Sequence, residues 1–161
     1  CLLDAARQVV AERPEARFAI IGDGPEREAL QSAAAQAGLS AQVRFLGTRS
    51  DMPPVYAALD VFTLPSFSEG MPMTVLEAMA AGLPVVASRV GGIPTLLEPA
   101  QCGILCPPGD TAALADALLR VLRDETLANR MGAAGQQHIR DAYSSRAMAE
   151  RYGELYREVL R

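Results

Sequence analysis

The 161 residues contain no lysine and no tryptophan, a single histidine (His138) and three cysteines (Cys1, Cys102 and Cys106). All 15 basic residues are arginine, so a site that needs lysine must take it from outside this chain. An odd set of cysteines with one distant histidine fits neither a disulfide framework nor a zinc site, and the three thiols read as small apolar residues. No Asp-x-Asp pair occurs, and no metal is expected. Long apolar runs are also missing: none approaches the roughly 18 residues of a membrane span. The first residues have no basic-then-apolar leader, so direct membrane insertion is not expected and the chain reads as cytoplasmic. Positive charge is not in excess, with 15 basic and 19 acidic residues and a net charge of -4. That balance excludes a nucleic-acid surface or a polybasic anchor as the main business of the chain. Linkers, repeats and low-complexity tracts are absent, and a hydrophobic content of 50% is enough for the core of one domain.

What is present is an alternation. Five short apolar runs read as strands: Ala16 to Gly22, Gln42 to Leu46, Asp60 to Leu64, Pro84 to Ser88 and Gly103 to Cys106. Their continuous apolar character suits a parallel sheet covered on both faces. Helical patterns lie between them at Cys1 to Ala11, Pro25 to Ala37, Met52 to Ala58, Pro72 to Ala81, Pro94 to Leu97 and Thr111 to Arg123, and the chain ends in helices over Glu125 to Tyr143 and Ser145 to Leu160. Asp110 is placed to cap one helix start and Gly38 to end another. The spacing predicts an α/β domain with a doubly wound parallel sheet and C-terminal helices, whose ligand sites lie beyond the carboxyl ends of the strands.

The segment Pro65 to Thr95 carries the chemistry. Glu69 precedes a helix start and Glu77 lies within the helix, with Pro72 suited to an early helical position and Gly82 to the left-handed residue after its end. Helix starts near Met71 and Gly92 offer backbone N–H groups and a positive dipole end to phosphate, each worth roughly 0.3 to 1 kcal/mol. Gly91 and Gly92, lacking Cβ, read as positions where phosphate comes close to the backbone. Carboxylates repel phosphate but accept from hydroxyls, so a ligand with both phosphates and vicinal diols, such as a nucleotide sugar, accounts for the combination. Arg49 and Arg89 are candidates to reach a diphosphate. Gly22-Asp23-Gly24 lacks the third glycine of a dinucleotide fingerprint, because Arg27 stands there, and reads as a tight strand-to-helix turn. His138 reads as structural, and Tyr143, Met148, Tyr152, Leu155, Tyr156 and Val159 as a helical packing face.

The run Ser66 to Pro94, with Ser, then Glu-Gly, Leu-Glu-Ala-Met, Gly-x-Pro-Val-Val and Gly-Gly, resembles the donor-binding signature of the family 4 retaining glycosyltransferases of the GT-B fold. Ile21 to Pro25, Phe45-Leu46-Gly47, Asp110 with Ala113 and Leu114, and Arg130-Met131-Gly132 follow in the family's order, so nearly the whole chain is similar to the second, donor-binding domain of these enzymes. The resemblance implies a Rossmann-like half of a GT-B enzyme that transfers a hexosyl group from a nucleoside-diphosphate sugar to a glycan or lipid-linked acceptor. It makes Glu69 the carboxylate at the transferred sugar and Glu77 the acceptor of the ribose hydroxyls. Gly70, Met71, Pro72 and Met73 then lie against sugar and phosphates, Gly47, Thr48 and Arg49 border the base, Ser66 shapes the pocket, and Gly91 and Gly92 complete the donor site. The co-substrate is the nucleotide sugar, with no cofactor and no metal.

Three departures qualify the likeness. Thr95 stands where the family commonly has an acidic residue. The chain opens in what reads as a crossover helix, after the family's first strand and its phosphate-neutralising Arg and Lys, and the acceptor domain is absent; the isolated chain is expected to bind donor weakly and transfer nothing. In the strand order 3-2-1-4-5-6 that first strand is central, so the edges at Ala16 to Gly22 and Asp60 to Leu64 lose a shared partner. It is expected from residues outside this chain, from strand exchange with a second copy, or the gap closes. The last helix should show an exposed apolar stripe or pack in a swapped fashion. Two other readings stay open: a GT-B-fold sugar-nucleotide epimerase or hydrolase, and a non-catalytic nucleotide-sugar-binding module.

Overall fold

The structure, a computed structural model, describes residues 1–160. In chain order the elements are α1 (Leu2–Glu12), β1 (Phe18–Ile21), α2 (Arg27–Gln36), β2 (Val43–Gly47), α3 (Met52–Ala57), β3 (Phe62–Leu64), α4 (Met73–Ala80), β4 (Val85–Ser88), α5 (Ile93–Leu97), β5 (Gly103–Cys106), α6 (Thr111–Arg123), α7 (Glu125–His138), a π-helical turn (Ile139–Tyr143) and α8 (Ser145–Val159). Every expected strand is present, β5 with the expected bounds and the others with ends trimmed or shifted slightly. All strand pairs are parallel, as the continuous apolar runs require.

β4 shows how the sheet is covered, because all four of its residues are buried. Alternate side chains go to opposite faces. Val86 joins α1 and α6 through Ala5, Val9, Leu114 and Leu118, while Val85 and Ala87 join α4 and α5 through Val75, Met79, Ile93 and Leu96. Cys106 and Cys102 sit one in each cluster and pack as small apolar residues. Burial pushes the Cys102 thiol up to about 11.

The sheet is split. β1 pairs only with β2, and β3, β4 and β5 form a separate set in that order. Thus, among the described residues, the facing edges of β1 and β3 share no partner, as the strand order predicts, and the gap does not close. A cleft of about 780 Å³ occupies it, lined by Ala16 to Ala19, Leu46, Val55 and Leu59 to Val61 among others.

Most helix ends lie within a residue of expectation, and three differ in a way that has a physical reason. Pro72 is the N-cap of α4, with ψ at 111°, and not its first helical residue. α2 starts at Arg27, after a turn through Pro25 and Glu26. The helix expected over Glu125 to Tyr143 changes to a π-helical turn at Ile139. Leu127, Met131, Gly135, Ile139 and Tyr143 face the core at a strict spacing of four, which drifts by about 40° per step on a 3.6-residue helix. Widening the last turn brings Tyr143 back onto the core beside His138, at a ring separation of 5.4 Å.

Other punctuation is as read. Asp110 accepts from the Ala113 N–H at 2.9 Å, and Gly82, at φ 81°, closes α4 with its N–H on the Met79 carbonyl. On α8 only Ala147 is buried, and Met148, Tyr152, Leu155, Tyr156 and Val159 form an exposed stripe. Apart from Tyr143, which packs on the core, the expected packing face therefore has no partner among the described residues. No helix among them is long and apolar enough to cross a membrane.

Candidate functional site

The loop after β3 runs through Pro65 to Pro72 into α4, and both carboxylates lie on it or just beyond. Glu69 is half-buried, and its Oε1 accepts from Ser66 Oγ at 2.7 Å. Ser66 thus holds the carboxylate in place. Glu77 is exposed on α4, and its Oε2 accepts from the hydroxyl of Tyr56 at 2.7 Å. Each carboxylate therefore has one oxygen fixed by a protein hydroxyl and one left for another donor.

Between them lies a run of unused donors. The first N–H groups of a helix have no intrahelical acceptor. In α4 the earliest bonds are those of Val75 and Leu76 to the Pro72 carbonyl, at 3.2 and 3.5 Å. Among the described residues the N–H groups of Gly70, Met71, Met73 and Thr74 meet no acceptor. Gly70, Met71 and Met73 are exposed, and Pro72 is buried beneath them. An anion at this helix start would meet several amides and the positive end of the α4 dipole.

The glycine pair at Gly91 and Gly92 has a different reason from the one expected. A Cβ on Gly91, which has φ 53°, would overlap the carbonyl of Glu69, and one on Gly92 would lie 2.7 Å from the Gly70 oxygen. These glycines let two loops pack backbone to backbone, so the space that a side chain would fill belongs to the Glu69 loop and not to a phosphate. The Gly92 N–H donates to the Gly70 carbonyl at 2.8 Å and that of Ile93 to Val90 at 3.2 Å, while Pro94 has none. The helix start near Gly92 therefore offers fewer free amides than the sequence suggests: among the described residues of Gly91 to Thr95, the N–H groups of Gly91 and Thr95 meet no acceptor. Its contribution is to fix the Glu69 and Gly70 backbone.

The arginines are also committed. Arg49 is clasped by Asp51, with Nε at 2.7 Å from Oδ1, and lines the cleft between the sheets. Its hydrogen bond holds the Asp51 carboxyl below its ordinary range. Arg89 pairs with Glu98. Gly47 is buried at the end of β2, with φ 68°, and Thr48 is exposed beside it. Over Gly47 lies the guanidinium of Arg27, held by Asp23 at 3.0 Å. The Asp23 carboxylate also accepts from the Gly24 N–H, which makes Gly22 to Glu26 the tight turn expected.

Two residues of this region escape sequence reasoning. Tyr56 lies 21 positions before Glu77, so no local spacing pairs them; a tyrosine in an otherwise apolar helical pattern was the sole signal. Arg27 enters only as the residue that breaks a glycine motif. At the outer rim, Phe67, Met71 and Met73 are 73%, 50% and 62% exposed, an apolar lip on the same loop.

The chain as a whole is similar to known proteins. The chain is 32% identical over 160 residues to an N-acetyl-alpha-D-glucosaminyl L-malate synthase of Bacillus anthracis, covering 99% of this chain and 42% of that protein. It is 38% identical over 150 residues to a sulfoquinovosyl transferase of Arabidopsis thaliana, covering 90% of this chain and 28% of the relative. Among solved structures it superposes on HepE of Anabaena, determined in complex with UDP, with a TM-score of 0.88 and 27% identity over 98% of this chain and 44% of that one. The chain thus spans less than half the length of these relatives. The family described as "Glycosyl transferases group 1" matches residues 1–124. The chain belongs to the group 1 glycosyltransferases.

Proposed function

We propose that this chain is the donor-binding half of an enzyme that transfers a hexosyl group from a nucleoside-diphosphate sugar, with retention, to a glycan or lipid-linked acceptor. The observation that carries the reading is the composition of the α4 start. Four unbonded amides lie between two carboxylates, each with one free oxygen. Amides suit a diphosphate and carboxylate oxygens suit sugar and ribose hydroxyls, so the set matches the two ends of one ligand.

In this reading the bond from the anomeric carbon to the diphosphate oxygen breaks as the acceptor oxygen bonds the same face and passes its proton to the departing diphosphate. Gly70, Met71 and Met73 meet the leaving diphosphate, whose developing charge their fixed N–H groups stabilise. Glu69, steadied by Ser66, orients the sugar, and Glu77 takes the ribose diol. Gly47, Thr48 and Arg49 border the base. Gly91 and Gly92 hold the loop that presents these groups. No metal enters the scheme.

The rest of the enzyme supplies the acceptor site and the missing central strand. The cleft between β1 and β3 is the seat for that strand, which would pair in parallel with both free edges. The difference in length from the relatives supports such a second part.

Calorimetry of the intact protein with a panel of nucleotide sugars tests the reading, with Glu77→Ala as control. That substitution should weaken donor binding by about 1 to 3 kcal/mol, the worth of hydrogen bonds to a charged group. Unchanged affinity would remove Glu77 from the site. Rapid epimerisation of the donor without acceptor would replace transfer by the isomerase reading.

A further inference from the structure

The Tyr56 ring is 4% exposed and sits in the core cluster with Val75, Met79 and Ile93, edge-on to Phe62 at a centroid distance of 6.1 Å. Such packing fixes the ring and with it the hydroxyl. A phenylalanine would fill that space without bringing a polar atom inward, so the hydroxyl calls for a reason. Its bond is the one to Glu77 Oε2, at 2.7 Å. Glu77 has no matching need, because an exposed carboxylate is satisfied by water. Left alone it would sample several rotamers, and a ligand would have to select one of them.

We infer that Tyr56 is a positioning residue, whose hydroxyl holds Glu77 in one rotamer so that its other oxygen, Oε1, stands ready for the ribose diol of the donor. The inference rests on the proposed role of Glu77. It also assigns a reason for α3 to pack where it does, since α3 carries Tyr56 from the β2 side of the domain to the flank of α4. Burial, with the Glu77 carboxylate adding to it, raises the hydroxyl well above the ordinary tyrosine pKa. Tyr56 therefore stays the donor in this bond throughout the working range of pH. Ser66 and Glu69 repeat the device on the sugar side, with a hydroxyl on one carboxylate oxygen and the other left open.

The test is calorimetric titration of the intact protein with UDP and GDP and with their 2′,3′-dideoxy counterparts, for the wild type, Tyr56→Phe and Glu77→Ala. The wild type should prefer the ribonucleotide, and Glu77→Ala should abolish the preference. Tyr56→Phe should weaken the ribonucleotide by about 3- to 10-fold, the range of one net hydrogen bond, and leave the dideoxy form unchanged. If Glu77→Ala keeps the preference, or if no ribonucleotide binds the wild type, the donor assignment fails and takes this inference with it. If Glu77→Ala loses the preference while Tyr56→Phe keeps it, the donor assignment stands and the role of Tyr56 is overturned. Equal weakening of both nucleotide forms, or loss of folding in Tyr56→Phe, would assign the hydroxyl to stability and overturn it as well.

Discussion

Gly91→Ala tests whether the Gly91 turn and the Glu69 loop act as one unit. Gly91 has φ 53°, where an alanine costs roughly 1 to 2 kcal/mol through contact of its Cβ with its own backbone. The same Cβ would overlap the Glu69 carbonyl, so one of the two loops must move. Gly70 is exposed, whereas Ile93, two residues after Gly91, is fully buried and anchors that turn, which makes the Glu69 loop the one that yields. Its displacement breaks the 2.8 Å bond from the Gly92 N–H to the Gly70 carbonyl, worth about 0.5 to 1.5 kcal/mol net. Together these give a loss of roughly 1.5 to 3.5 kcal/mol in urea unfolding. Affinity for UDP or GDP, measured by calorimetry, should fall by about tenfold or more, because Glu69 and the Gly70 amide shift together. Gly24→Ala is the control: its Cβ would meet nothing within 4 Å, and both readouts should stay near wild type. Wild-type nucleotide affinity in a folded Gly91→Ala protein would show that the two loops are not coupled, and would refute this account of the glycine pair.

Two further substitutions probe the frame behind the site. Gly132→Ala puts a Cβ into the carbonyl of Gly82, where α7 crosses the end of α4, and neither backbone can retreat from the core; urea unfolding should show a loss of about 1 to 3 kcal/mol, as for overpacking, with little change in nucleotide affinity. Cys102, buried and with its thiol raised to about 11, gives a pH signature. Between the unfolded thiol's range near 9 and the folded value near 11, the unfolded chain releases a proton that the folded chain keeps, so stability falls as pH rises through that window. Below it the contribution is complete. Urea midpoints from pH 8 to 11 should decline less steeply for Cys102→Ala than for the wild type, and equal slopes would exclude the buried thiol as a source.

Much of this frame is legible in residue types. β4 reads correctly because Val85, Val86 and Ala87 are an unbroken apolar run, and a strand buried on both faces has no polar alternation to hide it. Gly82 and Asp110 mark helix ends because left-handed backbone and unpaired N–H groups demand those residues locally. The Glu69 and Glu77 pair stands out for the same reason, since one helix start orders both. Contacts made across the fold are not legible in this way. The Tyr56 bond depends on α3 packing against α4, and the reason for Gly91 depends on a loop some twenty residues earlier in the chain. Both Gly91 and Gly92 looked like phosphate positions because absence of Cβ signals close approach without saying what approaches. The π-helical turn was hidden because a four-residue apolar spacing fits an α-helix for two turns and fails only as the drift accumulates.

Charge decides how the proposed site divides between this domain and the rest of the enzyme. A nucleoside diphosphate brings two to three negative charges to a domain that is itself at -4. Around the strand ends Arg27, Arg49 and Arg89 each already face a carboxylate, Asp23, Asp51 and Glu98 respectively. Releasing one of them would expose the carboxylate it neutralises, so the net gain toward the ligand would be small. The α4 amides orient a diphosphate, and the helix end adds only about 0.3 to 1 kcal/mol of charge attraction. In the proposed reading, the remaining neutralisation would come from cations outside this chain, on the side where the acceptor binds. Donor binding and approach of the second domain would then strengthen each other, since each supplies the other's missing charge. The apolar lip of Phe67, Met71 and Met73 stands exposed beside the same helix start, and in the proposed reading closure of the second domain would cover it.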